Sequence, residues 1–165
     1  MLRGLDLRDE RDAPPIVKVE DRAEIHGDVT VYLRSSAPDV ARDRQRAVLE
    51  LIECLEGANV LEDVPIVRWP DRVHTPSDPD SEAAVACYDE FVDAVGSGAL
   101  EPFFEERPAT GSTQRVIVFP VICIAIRDRG ELTGLYPHWS DGVHHSIERC
   151  LDALSAGAPV ENVVA

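Results

Sequence analysis

The sequence predicts an α/β fold in which a mixed β-sheet has helices on both faces. The chain has 165 residues, the length of one domain, and 44% of them are hydrophobic, which is enough for a core. Runs of β-branched and aromatic residues alternate with segments whose apolar residues recur at helical spacing. Residues 116–126 form a continuous apolar run, which is typical of a strand buried on both faces of a sheet.

The first half of the chain predicts a strand, a helix and a second strand. Residues 29–34 are β-branched and aromatic, which favours a strand. Residues 38–56 have an apolar stripe at helical spacing, and Gly57 ends it. Residues 64–69 predict a short strand, and Pro65 places its beginning, or the whole strand, at a sheet edge.

The second half predicts a helix, two strands and a final helix. Apolar positions in residues 80–95 form one helical face. Residues 115–127 are predicted as one long strand, and residues 132–136 return as its hairpin partner. The last helix is expected to begin at Ser140 or Asp141, either of which can cap a helix.

The order of these elements, β-α-β-α-β-β-α, resembles the thioredoxin-like fold. Members of that fold have a cis-proline at the start of the third strand, then an apolar run, a charged glycine turn, a short strand and a helix. Here Phe119-Pro120 begins the apolar run, and residues 127–134 contain the charged turn. The resemblance covers residues 29–155 and implies a thioredoxin-like mixed sheet flanked by helices. A ferredoxin-like α+β sandwich is the competing fold.

The sequence departs from redox thioredoxins at the position where their chemistry occurs. Those proteins have C-x-x-C at the start of the first helix, where the helix dipole lowers the thiol pKa. The corresponding residues here are Ala37-Pro38-Asp39-Val40, which excludes disulfide exchange at this position. The cysteines are too far apart in sequence for a C-x-x-C pair and are expected to be free thiols: Cys54, Cys87, Cys123 and Cys150.

The charge of the chain is strongly negative, at −15, with 31 acidic against 16 basic residues. Lys18 is the one lysine, and the acids are spread over every segment. Concentrated salt shortens the Debye length to about 3 Å and screens the self-repulsion of such a surface. The composition therefore predicts a halophilic, archaeal, cytoplasmic protein, with an ordinary acidic protein as the alternative. It also argues against a nucleic-acid partner, because phosphates are repelled by this charge.

The domain organisation is predicted as a flexible N-terminal arm at 1–15, one α/β domain at 16–157 and a tail at 158–165. The N-terminus has no apolar core of the signal-peptide type. The longest apolar run is well short of the ~20 residues that span a bilayer, so no membrane association is expected.

A second resemblance is to a group of small acidic haloarchaeal proteins of unknown function, some of which are labelled helix-turn-helix proteins. The residues that resemble them are Val31-Tyr-Leu-Arg-Ser, Arg44-Gln45 and Val67-Arg-Trp69. This resemblance implies a regulatory role and supplies no catalytic residues. A helix-turn-helix is not expected from the pattern itself, because a strand follows the helix at 38–56.

Two candidate sites follow from the residues. The first is a peptide-binding groove at the place where thioredoxin-like domains bind extended peptides: Ala37, Pro38, Trp69, Phe119, Pro120 and Trp139. Its alternative is that these aromatic residues belong to the core and its rim. The second is a metal site on His138 and His144, which would need a further ligand. Its alternative is two surface histidines near a helix start.

The leading functional hypothesis is a non-enzymatic, redox-inactive thioredoxin-like interaction or regulatory module. It needs no cofactor, and its partner would be a protein, a peptide or a second copy of the chain. One alternative is a DNA-associated transcriptional regulator, which Arg42, Arg44 and Arg46 would serve. Another is a metal-dependent enzyme that uses His138 and His144.

Overall fold

The computed structural model describes residues 16–76, 78–108 and 114–163, so the predicted arm at 1–15 lies outside the described residues. Within these ranges the chain forms nine strands and four helices. In chain order they are β1 (Asp28–Arg34), α1 (Asp39–Gly57), β2 (Ile66–Trp69), β3 (Arg72–His74), α2 (Pro79–Val95), α3 (Ser97–Leu100), β4 (Glu105–Pro108), β5 (Arg115–Val118), β6 (Ile122–Asp128), β7 (Glu131–Tyr136), β8 (His138–Ser140), β9 (Val143–His145) and α4 (Ile147–Ala156).

A four-stranded mixed sheet with the order β2-β1-β6-β7 organises the fold. The β1–β2 pair is parallel, whereas β6 is antiparallel to both β1 and β7. A three-stranded sheet, β3-β5-β4, and the β8–β9 hairpin complete the strands of the described residues. The predicted α/β class with a mixed sheet is confirmed, and this strand order is compatible with the thioredoxin-like order.

The pleat of β6 divides the core into two halves. Ile122, Ile124 and Ile126 are buried in the cluster that includes side chains of α1 and α4. Cys123 and Ala125 are buried in the other cluster, which includes side chains of α2. Successive strand residues point to opposite faces, so a strand that is apolar at every position can serve both cores.

The predicted long strand at 115–127 is wrong, because the chain divides it between two sheets. β5 pairs with β3 and β4, whereas β6 pairs with β1 and β7. Three residues, Phe119, Pro120 and Val121, separate the two strands. The β3–β5 ladder extends to Phe119, whose N–H donates to the Asp71 carbonyl at 2.9 Å, and it stops at Pro120 because proline has no N–H to donate.

The predicted start of the last helix at Ser140 or Asp141 is also wrong. Residues 138–145 form the β8–β9 hairpin, whose turn residues Asp141 and Gly142 have φ of 51° and 76°. Two consecutive positive φ angles are the signature of a type I′ turn, for which Asp-Gly is a preferred sequence. The helix begins six residues later, where the Ser146 hydroxyl accepts from the Arg149 N–H at 3.1 Å.

The two edges of the four-stranded sheet differ. The β7 edge is covered by the C-terminal segment, because the Val163 N–H donates to the Thr133 carbonyl at 2.9 Å. The Asn162 amide also accepts from the Leu135 N–H at 2.9 Å and donates to the Leu135 carbonyl at 3.1 Å. The β2 edge lies at the surface, with Ile66 and Val67 41% and 40% exposed.

The central position of β6 gives a first prediction. Ile124→Ala removes a fully buried side chain and should lower the free energy of unfolding by about 2–5 kcal/mol. Ile16→Ala is the matched control, since Ile16 is 92% exposed and its loss should change stability by no more than about 0.5 kcal/mol. Urea unfolding followed by circular dichroism measures both, and equal losses would contradict the described core.

Candidate functional site

An open cleft of about 340 Å³ lies between α1 and the ends of β1 and β2. Its walls contain three arginines, from a helix and an edge strand, and no carboxylate. The residues that line it are Leu33, Ser35, Arg42, Gln45, Arg46, Leu49 and Arg68. We call this feature the arginine cleft.

The arginine cleft is unusual for this chain, in which acidic residues outnumber basic ones by 31 to 16. Four other surface clefts of the described chain each have at least one carboxylate in their walls. A cluster of cations in a cleft that no carboxylate lines raises the local concentration of anions. Among these five clefts, the arginine cleft is therefore the one suited to an anionic ligand.

The position of α1 in the cleft is fixed by Gln45, whose side chain is buried. Its amide Nε2 donates to the Arg34 carbonyl at 3.1 Å and to the Val121 carbonyl at 3.0 Å. These bonds attach the helix to the end of β1 and to the segment before β6. Arg42 and Arg46 are four residues apart and therefore share one face of this anchored helix.

The guanidinium groups of the cleft are largely free for a ligand. The Arg46 Nη1 lies 3.3 Å from Asp43 Oδ1, but both side chains are exposed and such a pair contributes little, about 0–1 kcal/mol. Arg42 and Arg68 have no ion-pair partner among the described residues. The planar fork of arginine suits the oxygens of a phosphate group.

Arg44, the remaining arginine predicted to serve DNA binding, points away from this cleft. Its Nη2 lies 2.7 Å from Glu148 Oε1, so it joins α1 to α4. Sequence spacing places Arg42, Arg44 and Arg46 together, but a helix turns by about 100° per residue and separates Arg44 from the other two. The structure supplies Arg68 in its place.

The predicted peptide groove is divided in the structure. Trp69 and Phe119 are buried, with ring centroids 4.8 Å apart, and the Trp69 indole donates to the Pro120 carbonyl at 3.2 Å. These rings fill the core and cannot form the wall of an open groove. Ala37 and Pro38 lie at the surface before α1.

Trp139, the sixth predicted groove residue, belongs to a different part of the surface. It lies on β8, is 39% exposed, and stacks on His144 with ring centroids 5.0 Å apart. The backbone also lacks a cis-proline at the start of the apolar run, as thioredoxin-like domains have. The cis peptide bonds of the described residues precede Pro76, Pro102 and Pro137. Pro120 is not among them.

The two histidines of the predicted metal site lie on opposite faces of the β8–β9 hairpin. His138 pairs with His145, whereas Trp139 pairs with His144. The structure thus brings His138 beside His145, with ring centroids 4.7 Å apart, and not beside His144. Residues 16–76, 78–108 and 114–163 contain no group of three or more His, Cys, Asp or Glu arranged to hold a metal ion.

Comparison with known proteins identifies the family. A family model described as a helix-turn-helix domain matches residues 21–159. The chain belongs to this helix-turn-helix domain family. No curated protein and no solved structure matches the chain. The family confirms the resemblance to proteins labelled helix-turn-helix.

Membership of the family corrects the prediction about nucleic acid. The net charge argues against a nucleic-acid partner, but a helix-turn-helix domain points to nucleic-acid binding, so that prediction is wrong. The physical reason is that binding depends on the charge near the contact, whereas −15 is a sum over the whole chain. The lining of the arginine cleft is positively charged although the net charge of the chain is negative.

The described residues contain no pair of long helices joined by a short turn. α1 is followed by β2 and β3, whereas α2 is followed after Gly96 by the four-residue α3, which has no basic residue. The three arginines that line the arginine cleft lie on α1 and β2. No helix among the described residues is both long and apolar enough to cross a membrane.

The environment of His138 gives a second prediction. Burial lowers its pKa, although the hydrogen bond from Nδ1 to the Leu135 carbonyl opposes this, and the nearby His145 lowers the pKa further. The unfolded chain, with a histidine pKa of about 6.5, then binds more protons in acid than the folded one. Stability should therefore fall as the pH drops below about 6.5.

Urea unfolding at several pH values between about 7.5 and 5 measures this slope. The variant His138→Asn should make the slope smaller, because His138 no longer titrates, whereas His145, whose pKa is also lowered by burial, still contributes. An NMR titration of the wild-type imidazoles should give His138 a pKa below about 6.5. Equal slopes in the two proteins would refute this account of His138.

Proposed function

We propose that this protein is a DNA-associated transcriptional regulator that contacts the DNA backbone through the arginine cleft. The observation that supports the proposal most is the match of residues 21–159 to a helix-turn-helix domain family. The cleft adds a surface of suitable chemistry, with three arginines and no carboxylate in its walls.

The electrostatics of the cleft can operate despite the charge of the whole chain. Each arginine that contacts a phosphate releases condensed counterions, and this release drives binding in dilute salt. Repulsion from distant carboxylates is screened beyond about 10 Å at 0.1 M ionic strength, whereas a direct contact is not. A phosphate in the cleft would lie close to Arg42, Arg46 and Arg68, and no carboxylate lines the cleft beside it.

The remaining acidic surface would restrict how DNA can approach. The net charge of −15 repels phosphate, so contact through the basic arginine cleft favours one orientation of the duplex. Backbone contacts of this kind set register and orientation, whereas contacts to base edges give sequence preference. The cleft therefore accounts for positioning on the duplex.

The environment of the protein is part of the proposal. The scarcity of lysine and the dispersed acids support function in concentrated salt, in the cytoplasm of a halophile. Counterion release contributes little in such salt, so binding there depends on direct contacts. Arginine suits this setting because its guanidinium is weakly hydrated and can bind a phosphate by two parallel hydrogen bonds. The redox-inactive interaction module and the metal-dependent enzyme have less support, since the family points to DNA.

The double variant Arg42→Gln, Arg68→Gln tests the role of the cleft. It should weaken binding to a random-sequence duplex of about 30 base pairs by roughly tenfold or more in about 0.1 M KCl. The slope of log affinity against log salt should fall by about two, one for each lost phosphate contact. Fluorescence anisotropy at several KCl concentrations measures both quantities.

Arg129→Gln is the control for loss of positive charge. Arg129 lies in the turn after β6, at the end of the sheet opposite the cleft. Its substitution should therefore leave both the affinity and the salt slope nearly unchanged. If the wild-type protein binds no duplex at any salt concentration, the proposed function is wrong. If the control weakens binding as much as the double variant, DNA does not use the cleft.

A further inference from the structure

The outer edge of β2 presents free backbone groups beside the arginine cleft. In the parallel β1–β2 pair, the Val31 N–H donates to the Pro65 carbonyl at 3.0 Å and the Ser35 N–H to the Trp69 carbonyl at 2.8 Å. Backbone groups alternate in direction along a strand, so the N–H and C=O of Ile66 and Arg68 point away from β1. Unpaired groups of this kind are a template for another strand.

This edge differs from the opposite one, which the chain closes itself. The C-terminal segment pairs with β7 through Val163 and the Asn162 side chain. Nothing comparable lies against β2 in the described residues, and its Ile66 and Val67 are 41% and 40% exposed. The four-stranded sheet thus has one closed and one open edge.

We infer that β2 pairs antiparallel with β2 of a second copy of the chain, so that two arginine clefts form one DNA-binding surface. The inference rests on the proposed function for its DNA partner. The pairing itself depends only on the geometry of the edge, which is self-complementary about a twofold axis.

The free groups select the register of this pairing. If the twofold axis passes beside Val67, then Ile66 of each copy lies opposite Arg68 of the other. Residues that face each other in this way exchange two hydrogen bonds, so the two pairs form four bonds and use every outward N–H and C=O of Ile66 and Arg68. With the axis at Ile66, the Arg68 carbonyl would face the Val64 N–H, which already donates to Glu56 Oε2 at 3.1 Å.

The same register covers the exposed apolar side chains. Val67 of one copy meets Val67 of the other at the axis, as a close pair without hydrogen bonds. Ile66 lies beside the aliphatic stem of Arg68 from the second copy, on the face of the sheet that bears α1. The charged end of Arg68 remains directed to the cleft, as in the single chain.

The symmetry of the pair brings the two clefts together. An axis perpendicular to the sheet keeps each face on its own side, so both α1 helices lie on the same face of a continuous eight-stranded sheet. Arg42, Arg46 and Arg68 of each copy then flank the axis. Their mutual repulsion opposes pairing in the absence of an anion, and phosphates of bound DNA relieve it, so DNA should strengthen the dimer.

The variant Ile66→Pro tests the pairing. It removes an outward N–H that β1 does not use, so the fold of the single chain should be preserved. Ile66→Thr keeps the N–H and a β-branched side chain and serves as the matched control. Light scattering on a sizing column, with and without a random-sequence duplex, gives the mass of each species.

The wild type and the Ile66→Thr variant should bind DNA as pairs of chains, whereas Ile66→Pro should bind as a single chain. Loss of the second cleft should also weaken DNA binding by about tenfold or more. A wild type that is monomeric both free and on DNA would overturn the inference and leave the proposed function standing. Equal masses for a dimeric wild type and a dimeric Ile66→Pro would also overturn it.

Hydrogen exchange of the wild type supplies a test that does not depend on a folded variant. The amides of Ile66 and Arg68 should become protected as the protein concentration rises, while the Val67 amide, which faces β1, should be protected throughout. Concentration-dependent protection without any DNA binding would leave the paired edge standing and refute the proposed function. Ile66 and Arg68 amides that exchange rapidly at every concentration, with DNA present, would refute the pairing.

Discussion

The two-sided burial of β6 is the constraint on which the rest of the molecule depends. Its odd and even positions belong to different cores, so α1 and α4 must lie on one face of the sheet and α2 on the other. On the side of β6 away from β7 lie β1 and then β2. The ends of β1 and β2 and the first half of α1 form the walls of the arginine cleft.

Much of this arrangement of helices and strands could be predicted from the sequence, because the spacing of hydrophobic residues shows which side chains are buried. The apolar stripe of α1 and the two-sided run of β6 are such signals. The predictions are wrong where a single residue ends or redirects an element whose hydrophobic spacing continues. Pro120, for example, divides one apolar run between two sheets. Asp141-Gly142 makes a hairpin where capping residues suggested a helix, although Asp-Gly between short strands is itself a hairpin signal.

The candidate site was harder to predict, because its residues come together only in the folded chain. Arg42 and Arg46 are on one helical face, which spacing alone could indicate, but Arg68 joins them from a strand more than twenty residues later. Total charge gave the opposite answer about nucleic acid, since a sum cannot show where carboxylates are missing. The useful quantity is the sign of the charge around each cleft.

The Asn162 side chain has a consequence for assembly. Its amide bonds the N–H and C=O of Leu135 as the peptide group of a neighbouring strand would, so a single side chain completes the closed edge. A sheet with one free edge can join one other copy and then stops, as a finite symmetric object. If both edges were free, each added copy would present a new edge and growth would have no end point. The C-terminal segment, through Val163 and Asn162, thus limits pairing of the four-stranded sheet to its β2 edge.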